Sequence, residues 1–330
     1  MKVLITGGAG FIGSYLCKFY YDKGYDVWCI DNCVTGAEEN VVSLSSEKSF
    51  HFIKEDITSF HLESLPEKFR YVFHLASPAS PADYLRLPTE TLLVNSLGTK
   101  KCLDFALKHE ASFLFASTSE VYGDPLVTPQ KEEYWGNVNP IGPRSVYDEG
   151  KRFGEALVMA YHRKFGIKTY LPRIFNTYGP RMRLNDGRVV PNFIACAIKS
   201  KPLVIYGDGK QTRSFCYVED LVRGLTLLIE SDYHLPVNLG NPSEFTVIEL
   251  AEKIQKITGK KLPVEFGPPL PDDPRQRKPD ISVARKVIGW EPAISLEDGL
   301  LKTYTYYLSQ LSHPSHRSCP GLLEKKEKGG

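Results

Sequence analysis

The chain has 330 residues, 42% of them hydrophobic and 24% charged, and a formal net charge of +2. That length can bury one large core or two modest ones, and the near-neutral charge excludes the broad basic face that a nucleic-acid partner requires. No apolar stretch approaches the roughly 18 residues of a membrane span, and Met1 leads directly into a strand, so neither a membrane segment nor a signal peptide is expected.

Seven cysteines, an odd number scattered through apolar runs, read as reduced thiols of a cytoplasmic protein rather than as a disulfide framework. Cys29 and Cys33 have no second pair at ligand spacing, so no metal site is expected.

In chain order, Lys2–Thr6 is a short apolar strand that ends in Gly7-Gly8-Ala9-Gly10-Phe11-Ile12-Gly13 and passes into a helix near 14–23. Further strands are predicted at 26–31, 50–54, 71–75, 113–117 and 168–174, with helices at 89–109 and 147–165 between them. Strands that alternate with helices build parallel βαβ units, and hence an α/β, Rossmann-type doubly wound sheet. After Asn176 the regularity breaks into segments rich in Gly, Pro, Arg and Asn, with helices near 191–199 and Val247–Thr258. This pattern predicts a smaller, discontinuous α/β lobe for substrate. The division is 1–178 with 214–242 for the dinucleotide domain and 179–213 with 243–310 for the lobe. Residues 311–330 lack periodicity and read as a disordered tail.

The glycines at 7, 10 and 13 lie between a strand and a helix, where missing side chains let backbone amides approach a pyrophosphate. Asp31 ends the second strand, where a carboxylate can accept from a ribose 2′-hydroxyl and repel a 2′-phosphate, so NAD is expected over NADP. Glu38 and Glu39 push the same way if they face the ribose; a solvated loop is the alternative. Asp56 either meets the adenine or caps its loop. His74-Leu75-Ala76-Ser77 ends the fourth strand, where backbone atoms would line the cofactor. The expected NAD-binding set is Gly7, Gly10, Phe11, Ile12, Gly13, Asp31, Asn32, Thr35, Asp56, Ile57, Leu75 and Ser77, with Tyr147 and Lys151.

Tyr147 and Lys151 are four residues apart in Ser145-Val146-Tyr147-Asp148-Glu149-Gly150-Lys151-Arg152, which on a helix puts both on one face. An ammonium beside a phenol lowers the tyrosine pKa from its resting value of about 10, so that the phenol can take a proton from an alcohol near neutral pH. Thr118, in Ser117-Thr118-Ser119-Glu120-Val121-Tyr122-Gly123, follows the fifth strand at the carboxyl edge of the sheet, where it can hydrogen-bond the same hydroxyl. His74 and His162 have the chemistry for catalysis, but core or surface roles are the simpler reading of both.

On these residues the chain resembles the extended short-chain dehydrogenase/reductase family acting on nucleotide sugars, and within it the UDP-glucuronate decarboxylases. The resemblance spans nearly all of 1–310. It rests on Ala76-Ser77-Pro78-Ala79-Ser80-Pro81, Asn139-Pro140-Ile141-Gly142-Pro143-Arg144, Arg173-Ile174-Phe175-Asn176-Thr177-Tyr178-Gly179-Pro180-Arg181-Met182, Asn185-Asp186-Gly187-Arg188-Val189-Val190 and Asp272-Asp273-Pro274-Arg275-Gln276-Arg277-Lys278-Pro279-Asp280.

The resemblance implies conversion of UDP-glucuronate to UDP-xylose through a 4-keto sugar, with NAD regenerated in each cycle. A dTDP-linked uronate is an alternative substrate, and a nucleotide-sugar 4,6-dehydratase or 4-epimerase an alternative activity. Related dehydratases place an Asp-Glu pair after the threonine, the aspartic acid to protonate the departing C6 hydroxyl and the glutamate to remove the C5 proton; here Ser119 replaces the aspartic acid, which disfavours dehydration. The implied catalytic set is Thr118, Ser119, Glu120, Tyr147, Lys151 and Arg277, with Glu120 and Arg277 near the carboxyl group and C5. Asn176, Val189, Tyr206, Gln211, Arg188, Arg213 and Arg277 are the implied nucleotide-sugar contacts, whereas surface ion pairs serve as the reading of Arg181, Arg183 and Arg275. Tyr206 reads equally as a core residue. Cys33-Val34 and Ala37-Glu38-Glu39 depart from the aromatic pair and basic run usual in the family around the ribose. A homodimer joined through the helices at 89–109 and 147–165 is also implied.

Overall fold

A computed structural model describes residues 1–268 and 276–312. Five strands, β1 (Lys2–Thr6), β2 (Asp26–Ile30), β3 (Phe50–Ile53), β4 (Phe69–His74) and β5 (Ser112–Phe115), are followed by short β6 (Ser117–Thr118), β7 (Thr169–Tyr170) and β8 (Pro172–Ile174). The main sheet runs β3-β2-β1-β4-β5-β7, and all its pairs are parallel.

β1 is apolar without alternation because both its faces are covered: Val3, Leu4 and Ile5 are all fully buried. Side chains on a strand alternate between faces. Val3 and Ile5 accordingly join one apolar cluster, with Leu16 and Leu225, while Leu4 joins another, with Leu103 and Val158. The helices that supply these partners are α1 (Phe11–Asp22) and Val218–Ile229 on one side. On the other lie α4 (Thr99–Lys108) and α5 (Ser145–Phe165), which α2 (Pro81–Arg86) and α3 (Pro88–Leu93) precede in the chain. The expected doubly wound sheet is present. Thr6 pairs in register with Ile30 of β2 and His74 of β4, so three strand ends lie side by side where the strand order reverses.

Two predicted elements are interrupted. The helix expected over 89–109 becomes α3, a wider turn at Val94–Gly98 and α4, with α2 ahead of it. Asn95 in that wider turn donates to the Ser77 hydroxyl (2.9 Å) and the Thr91 carbonyl (2.8 Å), tying the helix to the end of β4. The strand expected over 168–174 breaks at Leu171 into β7, in the main sheet, and β8, which pairs with β6 and Val237–Leu239. α1 begins at Phe11, three residues before the expected start.

Beyond Asn176, helix Val189–Lys199 packs on Val247–Thr258, and the latter carries a reciprocal cap between Thr246 and Glu249. A three-stranded sheet joins Glu244–Thr246, Thr212–Ser214 and Gln276–Arg277, and a second pair joins Leu203–Tyr206 to Val264–Gly267. The final helix, Leu296–Ser312, takes in Leu311 and Ser312 of the expected tail; residues 313–330, like Asp272, Asp273, Pro274 and Arg275, lie outside the described residues.

Candidate active site

The loop after β1 turns at Gly7, whose φ of 73° favours glycine and whose amide donates to the Ile30 carbonyl at 2.8 Å. A methyl group at Gly7 would stand 2.6 Å from the Ala76 nitrogen, and one at Gly13 would stand 2.1 Å from the Gly7 carbonyl oxygen. Only bare backbone fits here, which lets strand ends and helix start converge on a ligand.

Gly7, Gly10, Asp31, Asn32, Thr35, Asp56, Ile57, Leu75 and Ser77 all line one cleft of about 590 Å³ at these strand ends. Phe11, Ile12 and Gly13 lie beside it in the first turn of α1. Ala76 lines it too, as its place at the end of the fourth strand predicts, and Ile30, Val34, Glu55, Pro78, Glu90 and Val94 line the cleft without being among the expected cofactor contacts. Pro78 lies in the Ala76-Ser77-Pro78-Ala79-Ser80-Pro81 run, Glu90 in α3, and Val94 opens the wider turn that holds Asn95.

Asp31 is buried, and its carboxylate accepts from the amides of Ala9 (3.0 Å) and Cys33 (2.8 Å), so it braces the glycine loop. Burial raises its pKa against those amides. Asp56 accepts from Asn32 (2.8 Å) and from the Thr58 amide and hydroxyl. Burial would raise Asp56, but these donors outweigh it and hold the carboxyl low. Asp56 therefore caps its own loop while lining the cleft. Glu38 and Glu39 are exposed, and Glu38 pairs with Lys54 at 2.6 Å.

Thr118 ends β6, and its hydroxyl accepts from the Glu120 amide at 3.2 Å. Tyr147 stands in the first turn of α5, 6% exposed, with its ring stacked on Tyr84 of α2. Lys151 is 2% exposed; its Nζ donates to the Ala116 carbonyl at 2.9 Å and lies 5.8 Å from the Tyr147 ring centroid.

The lowered phenol pKa expected from the lysine is not found in the chain by itself. Burial pushes the Tyr147 phenol up, and the Thr118 hydroxyl only partly offsets this. Burial also drives Lys151 down to about 7, so the ammonium that was to favour a phenolate is itself disfavoured. Desolvation outweighs the pairwise effect that the spacing suggested.

Glu120 lies in the turn Ser119–Tyr122 and accepts from Arg144 at 2.7 Å and from Arg277. Burial would raise this carboxyl, but Arg277 and then Arg144 hold it well below the usual carboxylate range. Arg277 also donates to the Gly123 carbonyl at 3.2 Å, and its Nε is buried without a partner. Ser119 is buried beside Glu120 and brings a hydroxyl where an acid would be needed for dehydration.

Arg213 lies opposite Arg277 in the parallel pair of Thr212–Ser214 with Gln276–Arg277. Arg188 is held by Asp186, with one contact of 2.8 Å, and its charge is felt by Tyr147. Val189 opens the helix after it, and Asn176 lies between β8 and strand Thr177–Tyr178. Tyr206 and Gln211 make a pair of their own, the Gln211 amide donating to the Tyr206 carbonyl at 2.7 Å. Tyr206 is 41% exposed and so is not a core residue.

Arg183 pairs with buried Asp83 of α2, while Arg181 donates to the Ser14 carbonyl (3.2 Å) and covers the Tyr15 ring instead of forming a surface ion pair. His74 is fully buried between Thr6 (2.7 Å) and the Val94 carbonyl (3.2 Å), and His162 bonds the Ile167 carbonyl at 3.0 Å; both are structural.

A glycine cradle at a strand switch point, with a buried tyrosine, lysine and threonine past it, is matched over residues 3–240 by the model of the NAD dependent epimerase/dehydratase family. The chain belongs to that family. Among curated relatives of this epimerase/dehydratase, UDP-glucuronic acid decarboxylase 1 of Arabidopsis thaliana is 52% identical over 300 residues, 91% of this chain and 68% of that protein. UDP-glucuronic acid decarboxylase 1 of Danio rerio is 47% identical over 315 residues, 96% of this chain and 74% of that protein. Among solved structures, UDP-glucuronic acid 4-epimerase from Bacillus cereus, in complex with UDP-glucuronic acid and NAD, has a TM-score of 0.84 and 32% identity, covering 94% of this chain and all of that one. Among the described residues, no helix of this family member is long and apolar enough to cross a membrane.

Proposed function

We propose that this chain is an NAD-dependent carboxy-lyase that converts UDP-glucuronate to UDP-xylose. The observation that carries the reading is Glu120 held between Arg144 and Arg277 beside Thr118 and Tyr147, with Ser119 in place of an acid. Two guanidinium groups and one carboxylate leave this corner positive, which suits a sugar that carries a carboxylate at C6. The chain's relatives named as UDP-glucuronic acid decarboxylases agree with this choice.

The cradle at Gly7 and Gly13 fits a dinucleotide pyrophosphate, and Asp31, which lines the same cleft, would hold the adenine ribose. NAD, when bound, accepts a hydride from C4 of the sugar and later returns it. Tyr147 takes the C4 hydroxyl proton, with Thr118 hydrogen-bonding the same oxygen and Lys151 supplying positive charge along the helix face. The resulting ketone lies β to the C6 carboxylate. The C5–C6 bond can then break, its electron pair passing into an enolate whose oxygen the Tyr147 hydroxyl stabilises. Arg277 and Arg144 are assigned to the carboxylate, and they speed its loss only to the extent that they stabilise the transition state more than the bound substrate. C5 gains a proton, C4 is reduced, and a pentose remains.

Arg188 and Arg213 are assigned to the diphosphate, with Asn176, Val189, Tyr206 and Gln211 completing the nucleotide contacts. The division into a dinucleotide domain (1–178, 214–242) and a nucleotide-sugar lobe (179–213, 243–310) follows the same reading. Free thiols at Cys17, Cys29, Cys33, Cys102, Cys196 and Cys216 support a cytoplasmic location. A homodimer is supported by Leu92, Leu93 and Leu97 of the α3 region and Phe153 of α5, all exposed on neighbouring helices.

The deciding experiment supplies NAD and UDP-glucuronate labelled at the carboxyl carbon. Labelled CO2 and a UDP-pentose are expected. A product of unchanged carbon count, as epimerisation or dehydration would give, would overturn the assignment.

A further inference from the structure

One buried carboxyl next to this site has no task in the reaction as described. Asp148 follows Tyr147 in the first turn of α5, is 6% exposed, and has an Oδ1 sealed from solvent with no hydrogen-bond partner. A carboxylate oxygen in that position is costly to ionise, whereas a neutral carboxyl is tolerated.

Charged and titratable groups face Asp148 from each neighbouring element. Glu120 comes from the turn after β6, Arg277 from the second lobe, Arg144 and Glu149 from its own helix, and Tyr84 from α2. Burial first and Glu120 second push Asp148 up to about 7, against the pull of Arg144 and Arg277. The corner thus holds two guanidinium charges, one firmly ionised carboxylate and one carboxyl poised between its two states.

The chemistry supplies what would tip the balance. An incoming C6 carboxylate adds a negative charge among the same guanidinium groups, and Asp148 then has less reason to remain ionised. The overall conversion also consumes a proton, because the C5–C6 bond leaves its electron pair on the sugar and a C5–H bond replaces it.

We propose that Asp148 is a charge-compensating positioning residue that takes up a proton when the sugar carboxylate enters and releases it into the site after neutral CO2 has left, when the electron pair left on the sugar is quenched by protonation at C5. The one proton that the reaction requires is thereby loaded at binding, before the carbon–carbon bond breaks. This rests on the carboxy-lyase reading above.

The test uses the NAD-loaded Tyr147→Phe protein, which binds without turning over. Calorimetric titrations near pH 7 in two buffers of different ionisation enthalpy count the protons taken up. UDP-glucuronate should take up a measurable fraction of a proton more than UDP-glucose, the excess being carried by Asp148. UDP-glucose presents the same C4 hydroxyl to Lys151 and lacks only the carboxylate. The excess should vanish in Asp148→Asn on the same background, and in Asp148→Ser should the first variant fold poorly. Equal uptake for the two ligands, or an excess that survives both substitutions, would overturn the proposal. Labelled CO2 from the unmodified protein is measured in parallel. Gas release without excess uptake sinks this inference alone, and no gas release sinks the carboxy-lyase reading itself.

Discussion

The rings of Tyr84 and Tyr147 lie flat on one another, centroids 5.1 Å apart and planes within 5°. Tyr84 comes from α2 and Tyr147 from α5, so the stack fixes the phenol between two helices while leaving its oxygen toward Thr118. Tyr147→Phe keeps the stack and removes only the hydroxyl. It should bind NAD and UDP-glucuronate as before, by calorimetry, and lose at least about 100-fold in CO2 release. Near-normal turnover would remove Tyr147 from the mechanism.

Arg277 is buried and Glu120 half-buried, and Glu120 serves both Arg277 and Arg144, so deleting Glu120 strands two guanidinium groups. Glu120→Ala should lower the unfolding free energy by about 3 kcal/mol in urea denaturation. The double variant Glu120→Gln, Arg277→Gln should recover part of that loss because only Arg144, less buried than Arg277, is then left without its carboxylate partner. Additive losses would mean the two side chains act independently.

Cofactor choice should hinge on Asp31. Asp31→Asn removes the negative charge but keeps an acceptor for the Ala9 or Cys33 amide. NAD affinity should fall by about tenfold and the preference for NAD over NADP should shrink, both read by tryptophan fluorescence titration. An unchanged ratio would place the adenine ribose away from this carboxylate.

His74 gives the fold an acid limb. Burial, then the charge of Lys151, depresses it to about 3 from an ordinary value of 6.5, despite the Val94 carbonyl. A depressed base favours folding fully above pH 6.5 and loses that contribution as pH falls toward 3, because the unfolded chain binds the proton more readily. Over that window His74→Gln should show a pH slope of stability shallower by about 1.4 kcal/mol per unit. An identical slope would mean His74 is charged in the fold.

The apolar helix faces make a prediction about assembly. Sedimentation at micromolar concentration should show a dimer, and Leu93→Glu with Phe153→Glu should give a monomer that still folds. A monomer in the unmodified protein would leave Leu93 and Phe153, 51% and 52% exposed, without a partner.

The parts of the site legible in the sequence are the local ones. A strand, a glycine turn and a helix occur within residues 2–22, so their geometry follows from nearest neighbours, and Gly7 and Gly13 fall where the spacing predicts. The pairing of Glu120 with Arg277 was reachable only through resemblance, because no local pattern connects a turn after β6 with a two-residue strand so much later in the chain. The tyrosine pKa was misjudged for a related reason: helix spacing reports who is near whom, but not how much solvent the surrounding lobe removes. The break beside Asn95 was hidden because its partner Ser77 belongs to another element.

The span between Glu120 and Arg277 is 157 residues. The glycine loop and both tyrosines are therefore contributed by the first half of the chain, while the guanidinium that faces Glu120 comes from a strand near its far end. The acidic-sugar corner is thus closed by a long-range contact, whereas the dinucleotide cradle is closed by a local one.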